Sequence, residues 1–158
     1  MQAPLRSALA LLLFLAVTFI AAWNGARYMP GEWYAALSKP SWNPPSWIFA
    51  PVWTFLYISM AVAAWLAWRR KGLPAAATPI AVFLVQLGLN SLWTWLFFGL
   101  HRPDLAFGDI SLLWVAILAT LILFWRASPA AGWLFVPYLA WVSFAAVLNF
   151  TLWRMNTA

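Results

Sequence analysis

Long apolar stretches alternate with short polar segments along the whole chain. A helix that crosses a bilayer needs about 20 mostly apolar residues, and five stretches reach this length. Prolines and charged residues collect between them, where helices are expected to end. The five stretches run from about Ala8 to Trp23, Trp47 to Trp68, Ile80 to Leu100, Leu105 to Trp125 and Trp133 to Trp153.

This pattern predicts an all-α integral membrane protein, a bundle of five transmembrane helices in a single domain of residues 1–158. The first stretch is similar to the core of a signal peptide. However, Trp23-Asn24-Gly25 follows it in place of a small-x-small cleavage site, so we expect a retained helix. Three of the four connections are short, so successive helices are expected to be antiparallel neighbours.

The composition agrees with a membrane protein. Of the 158 residues, 66% are hydrophobic and 8% are charged, and 14 are tryptophan, whereas soluble domains average about 45–50% apolar and about 25% charged residues. The net charge of +6 comes from cations that stand singly or in the run Arg69-Arg70-Lys71. Such positions are typical of anchors at lipid headgroups, so we expect no nucleic-acid partner. The chain has no cysteine, which excludes disulfides and thiolate metal sites.

The connection between the first two stretches, Asn24 to Ser46, is the longest and has an unusual composition. It contains Trp33-Tyr34 and leads into the segment Lys39-Pro-Ser-Trp-Asn-Pro-Pro-Ser-Trp47. Proline fixes φ and removes an amide donor, so this segment is stiff. Its aromatic side chains do not suit bulk water. It is either a lid-like loop over a pocket or an interfacial loop in the headgroup layer.

Polar side chains also occur inside the apolar stretches, where an unsatisfied polar group is costly. Helical spacing places four residues on one face of the third predicted helix: Gln86, Asn90, Trp93 and Phe97. Asp109 lies in the second turn of the fourth helix, and Asn149 lies within the fifth. Intramembrane polar groups either serve function or fix helix packing through hydrogen bonds. Gln86, Asp109 and Asn149 are assigned here as structural polar residues.

Residue constellations for enzyme chemistry are scarce. His101 is the only histidine, and no carboxylate pair, Ser-His-Asp grouping or glycine-rich phosphate loop is visible in the sequence. We therefore expect no metal and no required cofactor. Hydrolytic, phosphoryl-transfer and metal-centred enzymes are disfavoured.

Several motifs resemble the signatures of the TspO/MBR family, the bacterial tryptophan-rich sensory proteins and the mitochondrial translocator protein, or peripheral benzodiazepine receptor. They follow in order at natural spacing and cover essentially the whole chain. Besides Trp33-Tyr34 and the segment from Lys39 to Trp47, they are Pro51-Val-Trp-Thr-Phe-Leu-Tyr57, Gln86-Leu-Gly-Leu-Asn90, Phe97-Phe-Gly99 and Pro137-Tyr-Leu-Ala-Trp141 through Leu148-Asn149.

The resemblance implies five transmembrane helices, a homodimer, and a ligand pocket closed by the first loop. It implies porphyrin ligands such as protoporphyrin IX and haem-related tetrapyrroles. Two of the matching residues, Trp53 and Trp141, correspond to tryptophans linked to light-dependent porphyrin breakdown in a bacterial relative. Carried over by motif, the ligand-binding residues are Trp33, Tyr34, Trp42, Pro44, Phe49, Trp53, Asn90, Phe107, Trp141, Ala145 and Leu148.

The function implied by this resemblance is a membrane receptor or sensor for porphyrins that regulates tetrapyrrole or stress responses. A photo-oxidative porphyrin-degrading enzyme and a porphyrin or lipid translocator stay open as alternatives. The short ends of the chain suggest a bacterial member in the cell membrane. Sterol binding is in doubt, because Phe150 stands where the animal sterol motif needs a tyrosine before Arg154.

Overall fold

The computed structural model describes residues 3–28, 30–72 and 75–157, and within these ranges the secondary structure is helical throughout. A 3₁₀ turn, Ser46–Ile48, precedes the third helix, and a π-helical turn, Trp95–Gly99, extends the fourth. The α-helices are α1 (Ala3–Ala26), α2 (Glu32–Ala36), α3 (Phe49–Lys71), α4 (Ala77–Thr94), α5 (Pro103–Ala127) and α6 (Pro129–Asn156).

Among the described residues, five helices are long and apolar enough to cross a membrane: α1, α3, α4, α5 and α6. The five predicted transmembrane helices are therefore confirmed. The amino-terminal side of the bundle is the end where α1 begins. The opposite end carries the connection from α1 to α3, residues 27–48, which contains α2 and is called the connection below.

Helices α5 and α6 each begin at a proline, a few residues before the predicted starts at Leu105 and Trp133. Pro103 and Pro129 occupy the first turns of α5 and α6, where the missing amide hydrogen has no helical partner to lose. A single residue, Ser128, separates α5 from α6, and its amide donates to the carbonyl of Phe124 at 2.7 Å. Helices α5 and α6 are thus joined with almost no loop.

The order of the helices around the bundle is α1, α3, α6, α5, α4. The prediction that successive helices are neighbours holds for α1 with α3, for α4 with α5 and for α5 with α6. It is wrong for α3 and α4, which approach each other at only a few positions. The reason is that α1 packs against both of them from one side, while α5 reaches α3 from the other.

Small residues on the inward face of α3 allow neighbouring helices to pack closely against it. Ala61, Ala63, Ala64 and Ala67 are all fully buried on this helix, and side chains of this size let neighbouring helix backbones approach closely. The space beside them is filled by rings from α4, α5 and α6. Phe83, Phe124 and Phe135 pack together with centroid distances of 5.2 to 6.3 Å.

A close approach between α5 and α6 depends on Gly132, which is buried in the first turn of α6. A Cβ atom at Gly132 would lie 2.5 Å from Cε3 and 2.8 Å from Cβ of Trp125. Because the nearby atoms include the Cβ of Trp125, a change of rotamer cannot relieve the clash.

We expect Gly132→Ala to destabilise the protein by about 1–3 kcal/mol, because overpacking outweighs the better helix propensity of alanine. Gly108→Ala is the matched control, since a Cβ there meets no atom within 4 Å. It should leave stability unchanged or raise it by at most about 1 kcal/mol. Equilibrium unfolding in detergent measures both. Equal stability of the two variants would contradict the close contact.

Candidate ligand-binding site

Aromatic side chains from α3 and α6 meet in two layers. The ring centroids of Phe49 and Trp141 lie 5.9 Å apart, and those of Trp53 and Tyr138 lie 6.2 Å apart, both edge to face. Residues four apart on α3 thus face residues three apart on the antiparallel α6. Edge-to-face contact is a favoured geometry for aromatic pairs. These four side chains are called the aromatic layers below.

A groove between α3 and α6 opens beside the aromatic layers. It has a volume of about 550 Å³ and an apolar lining. Pro137 and Ala140 create room on the α6 side, because a proline ring distorts the preceding helical turn and alanine offers only a methyl group. The residues that line this α3/α6 groove are Pro51, Val52, Phe55, Leu56, Pro137, Ala140, Trp141 and Phe144.

Behind the layers, a buried chain of hydrogen bonds joins α3, α4 and α6. The Tyr57 hydroxyl donates to Asn90 Oδ1 at 2.7 Å, and Asn90 Nδ2 donates to the Tyr138 hydroxyl at 3.2 Å. Tyr138 in turn donates to Gln86 Oε1 at 2.9 Å, and Gln86 Nε2 lies 3.7 Å from the sulfur of Met60. Asn90 is 3% exposed and Gln86 is fully buried. This polar chain satisfies amides that would otherwise be costly inside a membrane.

Asn149 links three helices near the connection. Its Oδ1 accepts a hydrogen bond from Trp93 Nε1 at 2.9 Å, and its Nδ2 donates to the carbonyl of Pro103 at 2.8 Å. The amide therefore ties α6 to α4 and to the first turn of α5. These bonds are of the interhelical kind expected for a structural polar residue.

Asp109 differs from the amides. It is 6% exposed, and among the residues that the structure describes neither carboxyl oxygen has a hydrogen-bond partner. Asp109 faces the bundle, as expected for a carboxyl inside a span, but its assignment as a packing residue stays a prediction.

The connection is fastened to the end of the bundle at two points. The indole of Trp33 stacks on the imidazole of His101, with centroids 4.4 Å apart and planes 12° apart. Asn156, in the last turn of α6, pairs with the backbone of Ser38. Its Oδ1 accepts from the Ser38 amide at 2.9 Å, and its Nδ2 donates to the Ser38 carbonyl at 3.0 Å.

The π-helical turn at the end of α4 supplies a platform for this connection. The wider turn lets two consecutive rings, Phe97 and Phe98, both face α2. Phe97 lies 5.6 Å from Trp33, and Phe98 lies 5.5 Å from Tyr34. Leu148 is buried in the same cluster, so this predicted ligand-binding residue sits directly beneath the connection.

The second half of the connection reaches the α3/α6 groove. The Trp42 ring lies 5.9 Å from Phe144, which lines that groove. The Tyr34 hydroxyl donates to Asn43 Oδ1 at 3.2 Å. Partial burial raises the pKa of Tyr34 above its ordinary value, although the Asn43 bond offsets part of that rise, so the phenol is neutral at physiological pH.

Lys39 packs within the connection. Its Nζ donates to the carbonyls of Ala35 and Leu37, both at 3.0 Å, and lies 4.8 Å from the Tyr34 ring centroid. Because an ammonium group carries three donors, one donor is left for a further acceptor.

Arg102 and Asp104 form an ion pair at the same end of the bundle, with Nε and Oδ1 2.8 Å apart. The described residues contain no group of three acidic or histidine side chains that could hold a metal ion.

The structure brings most of the predicted ligand-binding residues to one end of the bundle. Phe49, Trp53 and Trp141 belong to the aromatic layers, and the half-buried Pro44 lies in the connection near Trp42. Ala145 packs against the main core. Their role in binding stays a prediction.

Phe107 lies apart from this group. It packs 5.2 Å from Phe150 and 5.9 Å from Trp153. It also lines a second groove of about 480 Å³, between α5 and α6, with Ser111, Trp114, Ala146 and Val147. This α5/α6 groove runs along a different face of α6 from the groove that contains Trp141.

Sequence reasoning missed several residues of the candidate site. Tyr57 and Tyr138 could have been found, because they follow Trp53 by four residues and precede Trp141 by three, on the same helical faces. Phe144 likewise follows Trp141 by three. No local signal identifies His101 or Asn156, since their partners lie far away in the sequence.

Comparison with known proteins agrees with this architecture. A family model described as the TspO/MBR family matches residues 9–154. The chain is 44% identical to protein CrtK of Rhodobacter capsulatus, over 84% of each chain. It is 41% identical to the tryptophan-rich sensory protein of Cereibacter sphaeroides, over 92% of this chain and 90% of the relative. It is 40% identical to the human translocator protein, over 84% and 81%.

The polar chain leads to a prediction for Tyr138. Tyr138→Phe removes the hydroxyl that joins Asn90 to Gln86 and leaves both amides without that partner, so we expect a loss of about 1–2 kcal/mol in unfolding free energy. Tyr34→Phe is the matched control, because its half-buried hydroxyl can be replaced by water and its loss should cost less than about 0.5 kcal/mol. Unfolding in detergent measures both. A larger loss for Tyr34→Phe would contradict the assigned importance of the polar chain.

Proposed function

Because the chain belongs to the TspO/MBR family of membrane proteins, we propose that it is a receptor or sensor that binds porphyrins. The observation that carries this proposal is that Trp53 and Trp141 lie one in each of the two aromatic layers, beside an apolar groove of about 550 Å³ that Trp141 also lines. The proposed role is regulation of tetrapyrrole or stress responses from the bacterial cell membrane.

The aromatic layers suit a broad, flat and apolar ligand. Trp53 and Trp141 are both half-buried, so part of each ring is covered by packing and part can contact a ligand. Each aromatic contact contributes about 0.5–1.5 kcal/mol beyond burial, and apolar burial adds about 25 cal/mol per Å². A porphyrin ring gains from both aromatic contact and apolar burial, because its faces are aromatic and its area is large.

The polar ends of the ligand also have candidate partners. A porphyrin such as protoporphyrin IX carries two anionic propionates, which favour a site near cations at the membrane surface. On the connection, the Lys39 ammonium group has one hydrogen-bond donor that is not used by Ala35 or Leu37. Arg27 is exposed and follows directly after α1. Both residues lie in the connection, at the end of the bundle nearest the proposed site.

The connection serves as the lid of this site in our proposal. It is stiffened by prolines, held by the Trp33–His101 stack and the Ser38–Asn156 pair, and reaches the groove through Trp42. Three of its aromatic rings, Trp33, Tyr34 and Trp42, contact the bundle, whereas Trp47 is exposed. This pattern of contacts supports a lid more than a passive interfacial loop.

The aromatic layers give a direct test. We expect Trp53→Phe and Trp141→Phe each to weaken protoporphyrin IX binding by about 1 kcal/mol, or about fivefold in Kd, because a smaller ring keeps only part of the contact. The control is Trp23→Phe, since Trp23 is 72% exposed on α1. Tryptophan-fluorescence quenching in detergent measures Kd. Equal affinities in all three variants would contradict the assigned site.

Illumination of the same samples tests the photo-oxidative alternative. Phenylalanine is much harder to oxidise than indole, so a protein-driven reaction would slow the light-dependent loss of the porphyrin Soret band in Trp53→Phe or Trp141→Phe. Bleaching at one rate in every variant would instead identify free photochemistry in detergent.

The lid is tested by replacing Trp33 and Tyr34 together with alanine. This removes the contacts of α2 with His101, Phe97 and Phe98, so we expect porphyrin affinity to fall about tenfold while helical content is retained. Titration with protoporphyrin IX and circular dichroism measure the two properties. Unaltered affinity would leave the connection as a passive interfacial loop.

A further inference from the structure

The α3/α6 groove opens sideways, away from the bundle axis. Both helices that form it are long and apolar enough to span a membrane, so its opening faces the hydrocarbon interior of the bilayer. Phe55 on its rim is 55% exposed, and Ala140 on its floor is also exposed. Because its side chains are apolar, the groove is compatible with lipid and with apolar molecules dissolved in lipid.

The connection, by contrast, covers the end of the groove that faces water. On the connection side, Trp42 lies against Phe144, the groove residue nearest that end of α6. The connection is also fastened by two independent contacts, the Trp33–His101 stack and the Ser38–Asn156 pair. A ligand arriving from the aqueous side would have to break these contacts, whereas a ligand arriving from the bilayer would not.

Trp141 joins the groove to the interior. Its ring lines the groove and also packs 5.9 Å from Phe49 in the aromatic layers. The groove and the aromatic layers are both formed by α3 and α6, so they belong to one helix interface. The α5/α6 groove is lined by neither Trp53 nor Trp141.

From these observations we infer that the α3/α6 groove is the entrance by which a flat apolar ligand dissolved in the bilayer reaches the aromatic layers. This inference rests on the proposed function, because the ligand class is the porphyrin proposed there. Partitioning into the bilayer concentrates such a ligand at the mouth of the groove, since its apolar ring is favourably removed from water while its propionates stay at the headgroup level.

An entrance has a kinetic signature that distinguishes it from a binding site. Bulk added in the passage raises the barrier for arrival and departure equally, so both rate constants fall and their ratio, Kd, is unchanged. Bulk added in the site itself changes Kd, chiefly through the dissociation rate.

The test measures both rate constants for protoporphyrin IX with protein reconstituted in phospholipid vesicles. The porphyrin is supplied from a second vesicle population, and tryptophan quenching is followed by stopped flow. In Ala140→Phe, which fills the groove, we expect both rate constants to fall about tenfold while Kd stays within about twofold. In Phe55→Ala, which widens the groove, both should rise at the same Kd.

Ala81→Phe is the matched control, because Ala81 is an exposed alanine on α4 that lines neither groove. Its rates should equal those of the unaltered protein. Phe55→Ala keeps the test decisive if Ala140→Phe fails to fold, because it removes bulk from the lipid-facing rim instead of adding it.

The outcomes separate the two proposals. Porphyrin binding with rates unchanged in both groove variants would overturn the entrance and leave the groove as a seat for an acyl chain or a neighbouring protein. A changed Kd in Ala140→Phe, with a faster dissociation, would make the groove part of the site and also overturn the entrance. Faster association in Asn156→Ala alone would point to the aqueous route. Absence of porphyrin binding by the unaltered protein would overturn the proposed function itself.

Discussion

The lack of water inside a bilayer is the constraint on which the rest of this structure depends. Polar groups within the spans are costly unless they find a partner inside the bundle. The polar chain from Tyr57 through Asn90 and Tyr138 to Gln86 meets that requirement, whereas the Asp109 carboxyl has no hydrogen-bond partner among the described residues. The polar chain of hydrogen bonds also sets the relative positions of α3, α4 and α6. Since α3 and α4 approach each other at few positions, these side chains bridge a separation that helix packing alone leaves open.

The same arrangement explains why aromatic residues gather on one side of the polar chain. Tyr57 and Tyr138 are each bound through their hydroxyls, which fixes the rings against which Trp53 packs. Tyrosine suits this position because it offers an apolar face and a polar tip. The aromatic layers are therefore held rigidly from behind, while Pro137 and Ala140 leave space beside them on α6. Rigidity and open space together make a surface that is ready for a flat ligand.

Much of this architecture could be predicted from the sequence, because hydrophobic length determines transmembrane helices directly. Spacing alone identified the inward face of α4, and Gln86, Asn90 and Phe97 are indeed buried. The separation of α3 from α4 could not be predicted, since a short loop constrains only the ends of two helices. The pairing of Ser38 with Asn156 could not be predicted either, because the two residues are 118 positions apart in the sequence. The local pattern carries no information about such long-range contacts.

The polar chain also has a direction. Each member donates to the next, from the Tyr57 hydroxyl towards the sulfur of Met60, so the bond dipoles align and polarise one another. Its last acceptor is a thioether, which is weak. The first atom of the polar chain is the Tyr57 oxygen, whose hydrogen is engaged in the bond to Asn90. This oxygen keeps its lone pairs, and the Tyr57 ring packs beside Trp53. The Tyr57 oxygen is consequently left as an acceptor, which favours the hydrogen of a donor over the oxygen of a carboxylate.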